Sequence, residues 1–158
     1  MSQAGEGAVY VPRGTDRFNE DRGLGITSLR YKVSPQDTGG GLFIIEQTMK
    51  EKGGPPRHLH LAQEEWFYPL AGEFIVEVNG RSHRLSPGDS LLAPRNVVHT
   101  WAYVGVGVGK ILIAFSPAGK MEAFFREVTK ANAMPPEQAE LWRAHDMELL
   151  GPPLLVNR

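Results

Sequence analysis

The sequence contains no cysteine, which excludes disulfide bonds, thiolate metal sites and redox-active thiols. It also has no cluster of lysine or arginine, and its formal net charge is −1. A nucleic-acid-binding protein needs a basic face to neutralise phosphates, so we expect no nucleic-acid partner. Because cysteine is absent, any metal ion must be held by nitrogen and oxygen ligands.

Long hydrophobic runs are missing as well, and the apolar stretches are too short to cross a bilayer. Residues 1–7 have neither a basic region nor a hydrophobic core, so we expect no signal peptide and no membrane partner. The default expectation is then a cytoplasmic protein. The 158 residues, of which 41% are apolar and 22% charged, suit a single domain spanning residues 1–158.

Short segments rich in β-forming residues follow one another between residues 24 and 116, separated by glycine and proline turns. The pair Asn79-Gly80 between two such segments is a strong signal for a two-residue hairpin. Strands at this regular spacing are typical of an antiparallel β-sandwich or β-barrel. We therefore predict a mainly all-β fold with at least eight strands and a barrel core covering about residues 24–116.

The C-terminal part changes character at about residue 117. An apolar face at helical spacing predicts one short helix, and a second is predicted after two prolines; the residues concerned are Met121, Phe124, Phe125, Val128, Leu141 and Trp142. We expect a helical extension over about residues 117–147, followed by an extended apolar tail. We expect these helices either to close the open end of a barrel or to cover a subunit interface. We favour both of these roles over direct participation of the helices in catalysis. The apolar tail and helix faces, with a net charge near zero, predict a homodimer.

His58 and His60 flank a single apolar residue in a segment predicted to be a strand. Side chains alternate between the two faces of a strand, so both imidazoles point the same way and form half of a metal site. A solvated strand face carrying two histidines is the alternative. Glu64 or Glu65, at the start of the next apolar run, can add a carboxylate to the pair.

Two motifs in the chain resemble those of the cupin superfamily. The first runs His58-x-His60, four residues, Glu65, six residues, Gly72, and the second matches at Gly88, Pro94 and His99. The resemblance implies an antiparallel jelly-roll barrel with metal ligands His58, His60, Glu65 and His99. The chain departs from the pattern at the glycine before His58, at Asn96 in place of a glycine, and at Tyr103 in place of an asparagine. Asparagine tolerates the positive φ that such a turn requires, so the turn is expected to survive.

Three imidazoles and one carboxylate suit a divalent transition metal ion (Fe, Mn, Ni, Co, Cu or Zn) better than magnesium or calcium. Similarity to quercetin-dioxygenase-like cupins implies a metal-dependent dioxygenase that acts with O₂ on an oxygenated aromatic or enolic small molecule. In that case Glu65 is both a ligand and the catalytic base. A non-catalytic metal- or small-molecule-binding cupin and a cupin isomerase or epimerase are the alternatives. Candidate substrate contacts, chosen by residue type, are Phe43, Gln47, Phe67, Trp101 and Tyr103.

Overall fold

The computed structural model describes residues 7–157; residue 158 and residues 1–6, on which the prediction about a signal peptide rests, lie outside the described residues. The described chain forms mainly strands. They are β1 Arg22–Leu24, β2 Thr27–Val33, β3 Phe43–Met49, β4 Pro56–His60, β5 Glu64–Ala71, β6 Phe74–Val78, β7 Arg81–Leu85, β8 Leu91–Ala93, β9 His99–Tyr103, β10 Gly109–Ser116 and β11 Met147–Pro153. The helices are α1 Met121–Val128 and α2 Ala139–Arg143, with short 3₁₀ turns at Pro35–Asp37 and Thr129–Ala131.

The strands form two antiparallel sheets that pack face to face. One sheet has six strands in the order β1-β2-β3-β10-β5-β8, and the other has five in the order β11-β4-β9-β6-β7. Neighbours in each sheet are often distant in sequence, as for β3 with β10 and β4 with β9. These two sheets confirm the predicted all-β jelly-roll fold with two short C-terminal helices.

Alternation along the strands decides which side chains enter the space between the sheets. In β3 the residues Phe43, Ile45, Gln47 and Met49 are buried and the residues between them are only half-buried. The same period of two runs through β4, β5 and β10. Polar residues at inward positions, such as Gln47, therefore lie inside the fold, where each needs a partner or a function.

The C-terminal extension packs over one end of this interior. Helix α1 buries Met121, Phe124, Phe125 and Val128, the face predicted from helical spacing. The chain then returns to the sheet: β11 pairs antiparallel with β4, with Met147 opposite His60. The fold thus gains a sheet strand beyond residue 116, in the tail where the sequence predicts only an extended segment.

Neither helix among residues 7–157 has the length and apolar character needed to cross a membrane. The cytoplasmic location and the single-domain limits stay predictions from the sequence.

Candidate metal centre

Three histidines come together because two strands of the five-stranded sheet are neighbours. Within the β4–β9 pair, His58 lies directly opposite His99. His60 follows two residues after His58 and therefore projects from the same face of β4. The ring centroids of His58 lie 4.5 Å from His99 and 5.1 Å from His60. One sheet thus presents three imidazoles to the interior.

The opposite sheet supplies the carboxylate. Glu65, near the start of β5, places its Oε1 atom 2.9 Å from both His60 Nε2 and His99 Nε2. All four side chains are buried, with at most 5% of each residue exposed. One ligand atom from each lies within 4.8 Å of all the others. The group is therefore a compact, water-shielded cluster that spans the two sheets.

The outward-facing nitrogens of all three rings lie next to acceptors. His58 Nδ1 is 2.7 Å from the carbonyl oxygen of Pro56, and His99 Nδ1 is 3.4 Å from that of Val97. His60 Nδ1 is 3.1 Å from Oε1 of Gln63, whose amide nitrogen donates to the Ala118 carbonyl. These oxygens only accept, so each contact favours the proton on Nδ1 and leaves Nε2 free for a metal ion, as in metal-ligating histidines held by outer acceptors. The Nε2 atoms of His60 and His99 both face Glu65.

The contacts inside the cluster show that a cation fits there. His60 Nε2 is 2.9 Å from Glu65 Oε1 but is not aligned for a hydrogen bond, and it has no partner among the described residues. An imidazole lone pair and a carboxylate oxygen at this distance repel each other unless a positive charge lies beside them. Nitrogen and carboxylate oxygen are the donors that divalent transition metals accept.

Electrostatics keep the donors in the forms that bind metal. Burial, followed by the nearby His99 and His60, lowers the pKa of His58 well below its usual value, so its ring stays neutral. Burial alone would raise the pKa of Glu65, but the combined effect of His99 and His60 holds it well below its ordinary range. Glu65 is thus an anion and His58 a neutral imidazole, the forms in which these two side chains bind a divalent cation.

Between the two candidate carboxylates, only Glu65 reaches the cluster. Glu64 points to the outer side of β5, where Arg95 Nη2 lies 2.9 Å from its Oε1 atom. The guanidinium of Arg95 lowers the pKa of the Glu64 carboxyl at this surface position. The alternation of β5 explains the difference, since consecutive residues face opposite sides of the sheet.

A small cavity of about 50 Å³ lies beside the histidines and Glu65. Of the five substrate contacts predicted by residue type, Gln47 and Trp101 line it. Most of the remaining wall comes from residues the sequence did not assign to the site, among them Thr27, Met121, Phe124, Met134, Trp142 and Met147. The helical spacing of the α1 residues indicates a buried face but not what that face covers.

Phe43, Phe67 and Tyr103 do not line this cavity. Phe43 packs on Tyr31 and Phe115 at the other end of the inward face of β3. Phe67 lies between the sheets, with its ring centroid 6.5 Å from that of Trp101. These three aromatic residues are buried but do not form the cavity wall, although the Phe67 ring centroid lies 6.0 Å from that of His99.

Two of the three departures from the cupin motifs, Asn96 and Tyr103, have local explanations. Asn96 adopts a φ of 64°, so it occupies the left-handed conformation that a glycine would take, and its N–H donates to the His60 carbonyl. The Tyr103 hydroxyl donates to the carbonyl oxygens of Val106 and Gly107, both 3.1 Å away. Tyr103 therefore holds the loop before β10, and the asparagine-to-tyrosine difference leaves the metal cluster intact.

Comparisons with known proteins agree with this geometry. A family model described as "Cupin domain" matches residues 45–115, which include all four clustered residues. A quercetin 2,3-dioxygenase from Bacillus subtilis (strain 168) is 31% identical over 127 residues, covering 80% of this chain and 36% of that protein. The chain thus spans about a third of the length of this curated relative.

Solved structures show the same fold at lower identity. KdgF from Halomonas sp. matches with a TM-score of 0.59 and 20% identity, covering 70% of this chain and 94% of that one. An RmlC-like cupin from Shewanella frigidimarina matches with a TM-score of 0.55 and 24% identity, covering 65% and 87%. These structures show the fold. The family model and the 31% identity over 80% of the chain show that the chain belongs to the cupin superfamily.

Proposed function

We propose that this chain binds one divalent transition metal ion through His58, His60, Glu65 and His99 and acts as a metal-dependent oxygenase. Its substrate would be an oxygenated aromatic or enolic small molecule. The observation that carries the proposal is the convergence of three imidazole rings and one carboxylate in a buried cluster. The 31% identity to a quercetin 2,3-dioxygenase supports the oxygenase class.

When bound, a divalent transition ion with four protein ligands would supply a Lewis acid with free coordination positions for substrate and O₂. The protein supplies the rest. Acceptors at Pro56, Gln63 and Val97 fix the orientation of the three rings. Orientation set in advance in this way reduces the reorganisation that the reaction requires.

Glu65 has a second role in this proposal, as the base that takes a proton from a substrate hydroxyl. Both of its 2.9 Å contacts use Oε1, so Oε2 is the oxygen that accepts the proton. His99 and His60 hold its pKa below the ordinary range, so the carboxylate is ionised before the substrate arrives. Burial at 3% exposure keeps bulk water from competing for that position.

The apolar wall of the cavity supports a reaction that must exclude water. Phe115, Phe124 and Trp142 surround the histidines, with the Trp142 ring centroid 5.2 Å from that of His58. Few polar groups face the cavity besides the cluster itself, namely Thr27 and Gln47. A reactive intermediate formed there would be shielded from hydrolysis.

The first test measures metal content in protein purified without added metal. We expect about one equivalent of a divalent transition metal in the wild type and almost none in the His58→Ala/His60→Ala double variant. Full metal content in that variant would place the site elsewhere.

The second test separates catalysis from binding by comparing Glu65→Gln with Glu64→Gln, a matched change on the opposite face of β5. With quercetin as probe and O₂ consumption as readout, Glu65→Gln should keep substantial metal but lose about 10²-fold or more in turnover, the scale of a positioned base. Glu64→Gln should resemble the wild type. Unchanged turnover in metal-loaded Glu65→Gln would remove the base role. A metal-loaded wild type inert to quercetin and related enols would favour a binding cupin. The homodimer expected from the sequence remains part of the proposal.

A further inference from the structure

A second, outer compartment lies next to the cavity of the candidate metal centre. This groove has a volume of about 400 Å³ and lies against the end of the chain, where Pro153, Leu154, Leu155 and Val156 form one side. Four residues line both spaces: Ile26, Gly54, Met134 and Pro135. The two compartments are therefore separated only by this shared wall, which we call the junction.

The junction is held by the segment between the two helices, residues 132–138. Met134 packs closely on Gly25. A Cβ atom added to Gly25 would lie 3.0 Å from the backbone nitrogen of Met134. Pro136, two residues later, accepts a hydrogen bond of 2.8 Å from Trp142 Nε1. Met134 itself is 39% exposed, so its side chain has open space on the groove side. It is the one flexible side chain among the four junction residues.

The two volumes limit what the site can take. A space of about 50 Å³ holds only a few water-sized groups, whereas a site for a drug-sized ligand usually has about 300–1,000 Å³. The groove alone, at about 400 Å³, falls within that range. Only a head group of a few atoms therefore fits beside the histidines, and the remainder of a larger substrate, such as the quercetin probe, must extend out of the inner cavity.

The two compartments also differ in the residues that line them. The inner one contains the metal cluster together with Gln47 and Thr27, whose hydroxyl lies 3.3 Å from Gln47 Oε1. The groove is lined by glycine, proline and aliphatic residues, with Glu137 as its one charged member among the described residues. The rest of the inner wall is apolar, so oxygen atoms find partners there only beside the cluster, Gln47 and Thr27, and the aliphatic side chains of the groove can contact the apolar part of a ligand.

We propose that the substrate is an elongated amphipathic molecule that uses both compartments. An enol or similar two-oxygen head group enters the inner cavity, the apolar remainder lies in the groove, and Met134 at the junction determines which substituents pass. This inference rests on the proposed metal-dependent function and narrows its substrate class. The occupant of the groove is the substrate's own apolar part, because the groove shares its wall with the metal cavity.

The test uses alkyl hydroxamic acids, which combine a small two-oxygen head group that binds divalent metals with a chain of chosen length. Calorimetric titration of metal-loaded protein with acetohydroxamate through octanohydroxamate should give an affinity that rises by up to about fourfold per methylene buried. Met134→Trp should lower the affinity for octanohydroxamate at least tenfold more than the affinity for acetohydroxamate. Leu92→Trp, at an exposed position of β8 outside both linings, is the control and should follow the wild type.

An affinity that does not depend on chain length would overturn the inference and leave the metal centre standing. The same holds if Met134→Trp keeps the wild-type ratio between the longest and shortest members. If a second copy of the chain covers the groove, the affinity will also not depend on chain length, and light scattering will give a dimer mass. This outcome would overturn the inference as well. Titration of metal-depleted protein separates the two proposals. Loss of acetohydroxamate binding on metal removal supports the metal centre, whereas a protein that loads no metal but still favours the long chains would refute only the metal centre. If no member of the series binds either form, both proposals fail.

Discussion

Asp16 anchors the N-terminal segment to the six-stranded sheet, and removing its charge should destabilise the fold. Its carboxylate accepts hydrogen bonds from the backbone N–H groups of Phe18 at 2.8 Å and Tyr31 at 2.7 Å, and it forms an ion pair with Arg22. Asp16 and Arg22 are 6% and 7% exposed. The Arg22 guanidinium also lies 3.5 Å from the centre of the Tyr31 ring. Asp16→Asn therefore leaves a buried cation without its main partner.

The size of the effect follows from these contacts. Removing one member of a buried ion pair usually costs about 3–5 kcal/mol in free energy of unfolding. Arg22 retains Glu20 at 2.9 Å and the Tyr31 ring, which favours the lower end, about 3 kcal/mol. For a chain of this size, that corresponds to a fall in Tm of roughly 6–12 °C.

The effect should also depend on pH with a defined sign. Burial opposes ionisation of Asp16, but the hydrogen bonds from Tyr31, Phe18 and Arg22 together lower its pKa in the folded state. The unfolded chain, with an Asp pKa of about 3.9, then binds the proton more readily, so the stabilisation is complete above that pH and is lost as the pH falls through the lower folded-state pKa. The difference between wild type and Asp16→Asn should stay constant from about pH 5 to 8 and narrow below about pH 4.

Urea unfolding followed by circular dichroism measures both quantities. Glu127→Gln, which alters the exposed ion pair with Lys130, is the matched control and should leave the midpoint almost unchanged. An Asp16→Asn midpoint equal to that of the control at pH 7 would refute the reasoning. So would a difference that grows on acidification.

Two further predictions concern the metal centre and the assembly. Gln63→Leu removes the acceptor 3.1 Å from His60 Nδ1 and should weaken metal affinity by about 10–100-fold, measured by competition with a chelator; wild-type affinity would show that this contact does not orient the ring. Light scattering at micromolar concentration should give twice the 17.5 kDa chain mass, because exposed Leu150 leaves apolar surface on β11 outside the groove. A monomer mass would contradict the homodimer.

The strands and the paired histidines could be predicted because they depend on local spacing, whereas the jelly-roll topology and the choice of Glu65 came from the resemblance to the cupin motifs. The period of two places His58 and His60 on one face, and the same period separates Glu65 from Glu64. The Asn79-Gly80 turn and the regular strand lengths favour the antiparallel sheets that the structure contains. The resemblance to cupin motifs added His99, which no local pattern connects to β4.

The C-terminal strand could not be predicted in the same way. Gly151, Pro152 and Pro153 are unfavourable in a strand, yet β11 lies at the edge of its sheet, where a missing N–H is tolerated. Its pairing with β4 shifts register on both sides of Gly151. Residue types at the start of the chain were equally uninformative, because the contacts of Asp16 reach Tyr31, fifteen residues away.

The cavity was hard to predict because an inward position does not reveal its level along the strand. Phe43 and Gln47 face the same side of β3, but only Gln47 lies beside the histidines. Which inward residues reach the cavity depends on where elements distant in sequence pack against the sheets. Here these elements are α1 and α2, whose residues complete the cavity wall.

The C-terminal extension therefore does more than close one end of the fold. Trp142 contacts Phe124 and His58, with ring centroids 5.0 and 5.2 Å away, so one buried side chain both seals the interior and limits the movement of a candidate ligand. Its indole N–H also binds Pro136 in the segment that carries Met134. Packing of the helices, orientation of His58 and the width of the junction are thus linked through one residue. Variation in this extension can change which substrates reach the cluster while the ligands supplied by the sheets stay the same, because it touches the cavity wall without supplying any of the four donors.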